Sequence, residues 1–133
     1  MVRTLLTVAL AATALAACAP YEAPPVSARE AREFDRALAG RVAGRPQSCL
    51  PTHRTSNIMA IRNGAILFRD GSTIYLTQTN GGCDRLADAG YTLVTRNFGS
   101  SLCSGTIAQV VDLRTGTFAG SCAIGEFVPY RRP

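Results

Sequence analysis

Two dipeptides in the middle of the chain, Asn63-Gly64 and Asp70-Gly71, constrain its fold more than any other feature. They separate three short runs rich in apolar and β-branched residues, at residues 57–62, 65–69 and 73–79. Asn, Asp and Gly tolerate the positive φ angles that two-residue hairpin turns require, so this pattern is typical of antiparallel strands joined by tight turns. The sequence therefore predicts a three-stranded meander in this region.

Three more runs of the same kind follow, at residues 91–96, 106–113 and 117–124. A turn near Thr115-Gly116 joins the last two runs, while residues 97–105 have the composition of a loop. Residues 83–90 leave room for one helical turn. Short strands with turn signals roughly every ten residues are typical of a small β-sandwich or a partly open barrel.

One helix is expected before the strands, over residues 28–39. Ser27 and Glu30 have the spacing of a capping box, in which each side chain accepts a hydrogen bond from a free backbone N–H at the helix start. Apolar residues then recur at helical spacing, and Gly40 favours a stop. The chain is thus predicted to be an α+β protein, mainly β, with one N-terminal helix and a compact antiparallel sheet of about six short strands.

The beginning of the chain has the pattern of an export signal. Arg3 gives a short positive start, and the apolar run after it covers roughly half of a ~30 Å hydrocarbon core, which is too short for a membrane span. The run ends in Leu15-Ala16-Ala17-Cys18, which resembles the bacterial lipobox. In proteins with that motif, the cysteine thiol takes a diacylglyceryl group, cleavage occurs before the cysteine, and the new amine is acylated.

This resemblance implies that residues 1–17 are a lipoprotein signal peptide and that Cys18 is the site of lipidation. The alternative is ordinary cleavage after Ala16, which would leave Cys18 as an unmodified thiol. Ala19 follows the cysteine, in place of the aspartate that resembles an inner-membrane retention signal. The expected location is therefore the outer membrane, facing the periplasm, with the membrane itself as a partner through the lipid.

Residues 18–27 are predicted to form a flexible tether between the lipid and the domain. Three prolines in this stretch fix φ and remove backbone donors, which favours an extended, loosely structured chain. The remainder, residues 28–133, is expected to be a single small domain whose β-rich part covers residues 50–130.

Four further cysteines lie in the predicted domain: Cys49, Cys83, Cys103 and Cys122. An exported chain meets an oxidising compartment, and a small domain gains stability from cross-links, so two disulfides are predicted. Metal binding by these cysteines is not expected, because there is no Cys-x-x-Cys pair and only one histidine.

Four cysteines allow three pairings, and the last predicted hairpin excludes one of them. If Arg114 pairs with Thr117, Cys122 lies opposite Gln109, and Cys103 lies roughly 20 Å further along the strand. A disulfide needs Cα atoms within about 7 Å. Two pairings remain open: Cys49–Cys103 with Cys83–Cys122, or Cys49–Cys122 with Cys83–Cys103.

Three segments near the cysteines read ALAGRVAGRPQSCLP, TLVTRNFGSSLCSG and GSCAIGEFVPYRRP. They resemble a family of small exported proteins of unknown function from Gram-negative bacteria, and the resemblance covers most of residues 37–133. It implies export and a small compact domain, and it brings no activity, cofactor or catalytic residue. In this family, cysteines like Cys49 and Cys103 occur without the other two, which implies the pairing Cys49–Cys103 with Cys83–Cys122.

No catalytic constellation, metal site or cofactor is expected from the motifs. His53 lies in a connector, and as a general base it would need a nucleophile and an orienting acid. No serine lies in a G-x-S-x-G elbow, and the carboxylates are scattered. The sequence also contains no phosphate-binding loop and no dinucleotide fingerprint.

All 14 basic residues are arginines, against nine acidic residues. Guanidinium groups pair bidentately with carboxylates and phosphates, so an arginine surface would bind an anionic partner. Eight arginines are candidates to gather on one face. Four of them are predicted as the anion-binding residues: Arg62, Arg69, Arg96 and Arg114. The other four are Arg54, Arg85, Arg131 and Arg132. The alternative is that these arginines are scattered solubilising charges.

The sequence therefore predicts a non-catalytic binding or accessory module of the cell envelope. Its expected partner is an anionic envelope component or an envelope protein, and nucleic acid is not expected in the periplasm. The alternative is a small enzyme or enzyme inhibitor whose site is built from loops. A concave pocket that joins His53 to a carboxylate and a serine would favour the enzyme.

Overall fold

The computed structural model describes residues 22, 24–96 and 99–133, and this part of the chain contains one α-helix, α1, at Ala28–Leu38. It also contains nine strands: β1 Val42–Ala43, β2 Cys49–Pro51, β3 Ile58–Ala60, β4 Ala65–Asp70, β5 Thr73–Gly81, β6 Tyr91–Thr95, β7 Ser101–Cys103, β8 Ile107–Asp112 and β9 Phe118–Arg131. Two short 3₁₀ helices cover Thr52–Arg54 and Asp84–Ala87.

Seven of these strands form one curled, half-barrel sheet in which every pair is antiparallel. The strand order is β3-β4-β5-β9-β8-β6, with β1 paired to the end of β9. The first part of β9 pairs with β8 and the second part with β5, so this strand joins the two halves of the sheet. β2 and β7 form a separate two-stranded sheet. The predicted fold class, α+β and mainly β, is confirmed.

The core contains residues of both sheets. Leu50 and Leu102 are opposite each other in the β2–β7 pair, and both join the buried cluster that contains Phe68 and Phe127 of the large sheet. The ring centroids of Phe68 and Phe127 are 5.9 Å apart. Since full burial of such an apolar side chain is worth roughly 1.5–3 kcal/mol, this cluster holds the small sheet against the large one.

α1 covers the opposite face of the large sheet. Leu67 and Ile74 are buried but lie outside the core cluster. Side chains alternate along a strand, so these two point to the face of the sheet away from that cluster. Ala37 of α1 lines a crevice together with both residues. The helix begins with the predicted capping box, in which the Ser27 hydroxyl accepts from the Glu30 N–H and the Glu30 carboxylate accepts from the Ser27 N–H.

The structure differs from the predicted strands in two ways. The last strand is longer than expected, because the chain stays paired through Pro129. The Pro129 carbonyl accepts a hydrogen bond from Gly44, on the side of β9 away from β5, so the missing N–H of proline does not interrupt the β5 ladder. In addition, β1, β2 and β7 lie outside the six predicted strand runs, since strands of two or three residues carry too short a pattern to detect.

The structure contains the disulfides Cys49–Cys103 and Cys83–Cys122, which is the pairing that the resemblance implied. The predicted hairpin register was wrong by one residue, since Cys122 lies opposite Ala108 and not Gln109. The turn is wider than two residues, with the Asp112 N–H donating to the Thr117 carbonyl, and a bulge shifts the register at Val110.

Candidate functional site

Five arginines gather at one end of the large sheet, around Tyr130 of β9. The register pairs Tyr130 with Ala43 of β1 on one side and with Ile74 of β5 on the other. Ile74 pairs in turn with Arg69 of β4. At the usual strand spacings, the Cα atoms of all five arginines lie within about 10 Å of the Tyr130 Cα atom. We call this group the arginine pole: Arg41, Arg45, Arg69, Arg131 and Arg132.

The short strand β1 brings two of these arginines to the pole. Its Val42 pairs with Arg131, and the Gly44 N–H donates to the carbonyl of residue 129 at 2.7 Å. Arg41 and Arg45 therefore flank the end of β9, one on each side of the β1 residues. This pairing gives the segment that carries both arginines a fixed position beside the end of β9.

Arg41 is held in place by neutral acceptors. Its Nε donates to the carbonyl of Ala37 in the last turn of α1 at 3.1 Å, and its Nη1 donates to the carbonyl of Ser72 in the β4–β5 turn. These contacts fix the guanidinium between the helix and the sheet. Because carbonyl groups carry no net charge, the positive charge of Arg41 remains uncompensated.

None of the five arginines forms an ion pair with a residue in the described part of the chain. Asp70 follows Arg69 in β4, but its Oδ2 lies 3.2 Å from the Nε of Arg54. Arg54 also donates to the Tyr75 hydroxyl at 3.0 Å, which holds it beside Asp70. The pole therefore presents positive charge with no carboxylate bound to it, an arrangement that attracts anions.

The opposite end of the sheet has a different character, because its charges are paired. It lies about 20 Å away, since β4 has six residues and rises ~3.3 Å per residue. Arg62 lies here, after β3, and its guanidinium contacts the carboxylates of Glu30 in α1 and Asp88 after the second 3₁₀ helix. These contacts engage the Nε and Nη2 donors of Arg62, and the two carboxylates offset its positive charge.

A cleft of about 540 Å³ opens beside Arg62. Its lining includes the side chains of Asp84 and Arg85 and the backbone of Gly82 and Gly120. The two glycines are in close contact, because a Cβ atom at Gly120 would lie 1.9 Å from the Gly82 carbonyl oxygen. Arg85 is also occupied, since it donates to the Tyr91 hydroxyl at 3.1 Å and lies over the ring of that residue.

Asp84 is the only strongly buried carboxylate in the described part of the chain, with 9% of its surface exposed. Its Oδ1 atom is buried and has no hydrogen-bond partner among the described residues. Burial raises the pKa of this carboxyl above its ordinary value of 3.8, because the charged form is poorly solvated. No Ser or His lines the cleft, and its second carboxylate, Asp88, is paired with Arg62.

The four arginines that the sequence singled out do not form one surface. Arg69 lies in the arginine pole. Arg62 is paired with Glu30 and Asp88 at the opposite end. The Nε atom of Arg114 lies 3.8 Å from the Oδ1 atom of Asp112 at the β8–β9 turn. Arg96 follows β6 at the far edge of the sheet, where it lines a shallow groove with the exposed Val94 and Ile107. Strand order explains the separation, because β4 and β6 are four positions apart in the sheet.

Arg41 and Arg45 were not among the predicted candidates. Both lie before β2, and the pairing of β1 with β9 brings them to the pole. Arg131 and Arg132 belonged to the wider predicted set, although the predicted sixth strand ended before them. Alternation through positions 127–130 could have located Arg131 and Arg132 at the end of the last strand. No local pattern marks Arg41 and Arg45, because β1 has only two residues.

No other chemistry is assembled around the single histidine. His53 is exposed in the first 3₁₀ helix, and it does not line any of four clefts found among the described residues. Among the described residues, no group of three or more His, Cys, Asp or Glu side chains is arranged to hold a metal ion.

The predicted lipidation site, Cys18, and the predicted signal peptide lie outside the described residues. Within residues 22, 24–96 and 99–133, no helix is long and apolar enough to span a bilayer. No family model, no curated protein and no solved structure matches this chain. The resemblance to small exported proteins therefore stays a prediction.

Proposed function

We propose that this protein is a lipid-anchored, non-catalytic binding module of the bacterial envelope, which uses its arginine pole to hold an anionic envelope component or envelope protein. The observation that carries the proposal is the group of five arginines around Tyr130, none of which has a carboxylate partner among the described residues. Arginine is suited to this role, because its planar fork offers two parallel donors to a carboxylate or a phosphate.

The proposed anchor is the lipid on Cys18. The motif Leu15-Ala16-Ala17-Cys18 supports it, as does the proline-rich stretch that follows. Two disulfides within the domain agree with export to an oxidising compartment. With Ala19 after the cysteine, the proposed location is the outer membrane, facing the periplasm.

The geometry supports binding over catalysis. An enzyme would need a nucleophile or a general base with an orienting partner in a shared pocket. The cleft beside the most enclosed described carboxylate, Asp84, is lined by no Ser or His, and its second carboxylate, Asp88, is paired with Arg62. His53 does not line this cleft. The arginine pole, in contrast, needs no further group to bind an anion.

The proposal is tested by affinity capture from a solubilised envelope extract with the lipidated protein as bait. The variant R131Q/R132Q removes two charges from the pole without touching the core, since both residues are exposed. A matched control, R29Q/R32Q, removes two exposed charges from α1. We expect the wild type and the control to capture a common partner. The pole variant should fail to capture it.

Two results would contradict the proposal. Captures that are empty for every bait would exclude a stable partner in the envelope. A partner retained equally by the wild type and by R131Q/R132Q would show that the pole is not the binding surface. Labelling with radioactive palmitate tests the anchor separately, because incorporation should be lost in the Cys18→Ser variant.

A further inference from the structure

We infer that the arginine pole binds the carboxylate-bearing peptides of the cell wall, so that the domain links the membrane of its lipid anchor to that polymer. This inference rests on the proposed function and names its partner class. The deciding feature is the direction in which the pole points relative to the tether.

The tether enters the domain at the end opposite to the pole. Pro24 lines the cleft beside Arg62, and Pro25 lines a neighbouring hollow with Arg62 and Asp88. From this end, α1 runs along the sheet for 11 residues, or about 16 Å at helical rise. It ends near the pole, where Arg41 contacts the Ser72 carbonyl. The domain therefore has a tether end and an arginine end.

This polarity separates the pole from the membrane that carries the anchor. The segment from Cys18 to Pro24 spans at most about 20 Å, and the sheet adds about 20 Å more before the pole. Charges are screened over ~8 Å at physiological ionic strength. When the tether end faces the membrane, the headgroup phosphates are therefore too distant to attract the pole. A polymer on the side of the domain away from that membrane lies directly in front of the pole.

The chemistry of the pole favours a polymer over a single small anion. Four of the five arginines are exposed and Arg41 is half-buried, and an exposed ion pair contributes only ~0.2–1 kcal/mol. One carboxylate would thus be held weakly. A polymer with repeated carboxylates engages several arginines at once, and the anchored proteins of one membrane contact it together, which raises the overall affinity by multivalency.

The test uses the lipidated protein reconstituted into neutral phosphatidylcholine vesicles. These vesicles are mixed either with purified cell-wall sacculi or with a second vesicle population that contains phosphatidylglycerol, at equal concentrations of anionic groups. We expect the protein-bearing vesicles to sediment with sacculi at lower concentration than they associate with the anionic vesicles. Amidation of the sacculus carboxylates should abolish the sedimentation, and 0.5 M salt should weaken it, as salt screens exposed charges.

Variants connect this binding to the pole. R131Q/R132Q should weaken the association with sacculi about tenfold, which is the effect of losing two exposed ion pairs. R29Q/R32Q, which removes the same charge at the tether end, should leave it unchanged. Equal losses in the two variants would reduce the binding to net charge and overturn the inference.

The remaining outcomes separate this inference from the proposed function. A preference for the phosphatidylglycerol vesicles would identify a membrane as the partner and overturn the inference. If neither material binds while envelope capture still yields a partner that depends on the pole, the inference fails and the proposed function stands. If the captures are empty as well, both fail.

Discussion

Arg62 donates from Nε to the Glu30 carboxylate across 3.3 Å, and the same carboxylate accepts a hydrogen bond from the Ser27 N–H. One glutamate thus closes the capping box of α1 and binds the helix to the β3–β4 connection. The other side of the Arg62 guanidinium contacts Asp88, beyond the second 3₁₀ helix. A single arginine therefore joins three segments that are distant in the sequence, at the end of the domain where the tether enters.

Replacement of Arg62 by alanine should lower the free energy of unfolding by about 1–2 kcal/mol, because two partly buried carboxylates lose their common partner. Urea denaturation followed by circular dichroism measures the change. Arg114→Ala is the matched control, since its contact with Asp112 is 3.8 Å long and its side chain is 82% exposed. The control should cost less than about 0.5 kcal/mol, and equal costs for the two variants would contradict this role of Arg62.

The charge of Glu30 should make the stability of the domain depend on pH. Hydrogen bonds from the Ser27 side chain and backbone lower the pKa of the Glu30 carboxyl below its ordinary value of 4.5, with a smaller contribution from Arg62. A carboxyl with a lowered pKa in the folded state stabilises the fold above its unfolded pKa, and this contribution is lost as the pH falls through the folded pKa.

Glu30→Gln isolates this charge, since glutamine can still accept the hydrogen bond of the capping box. The wild type should be more stable than this variant at pH 7, and the difference should shrink as the pH falls below 4.5. Thermal melts of both proteins across the acid range measure the difference. A difference that stays constant down to pH 2 would show that the charge of Glu30 does not stabilise the fold.

Local patterns in the sequence predict those features of the structure that depend on residues close in the chain. The capping box at Ser27 and the strands around the two turn dipeptides were visible, because both depend on residues close in the chain. The arginine pole was not, because Arg41 and Arg131 come together only through a two-residue strand paired across the sheet. Arg62 was a candidate for binding an external anion, and the sequence could not reveal that Glu30 and Asp88 already occupy it.

The charge of Asp84 should destabilise the fold, whereas the charge of Glu30 should stabilise it. Burial raises the pKa of the Asp84 carboxyl, so the folded protein keeps this proton to a higher pH than the unfolded chain. As the pH rises through the window above 3.8, ionisation therefore lowers the free energy of unfolding. Asp84→Asn removes the charge, and we expect the variant to be more stable than the wild type at pH 7 by up to about 1 kcal/mol.

The pH dependence provides the check on Asp84. The advantage of Asp84→Asn should disappear below pH 3.8, where the wild-type carboxyl is protonated in both states. Asp88→Asn is the control, because Asp88 is paired with Arg62 and its neutralisation should destabilise the domain at pH 7. If both asparagine variants were destabilised at pH 7, Asp84 would have a partner that stabilises its charged form.

The two disulfides should differ in how readily they are reduced. Cys83 and Cys122 are each 3% exposed and belong to the core cluster, whereas Cys49 lies on the surface. Reduction requires a thiolate to approach a sulfur atom, so the Cys49–Cys103 bond should open first when dithiothreitol is added to the folded protein. Alkylation followed by peptide mass spectrometry identifies which cysteines have been reduced.

Removal of the disulfides should also have unequal effects. Their sequence separations of 54 and 39 residues give similar chain-entropy contributions, of about 4 kcal/mol each. Cys83→Ala with Cys122→Ala also removes two buried sulfur atoms from the core and leaves a cavity there. This double variant should therefore destabilise the domain more than Cys49→Ala with Cys103→Ala. The opposite result would be that the Cys83–Cys122 bond is reduced first, or that its removal lowers the free energy of unfolding less. In that case the segment before the second 3₁₀ helix would have to open in solution, and the cleft beside Arg62 would open with it.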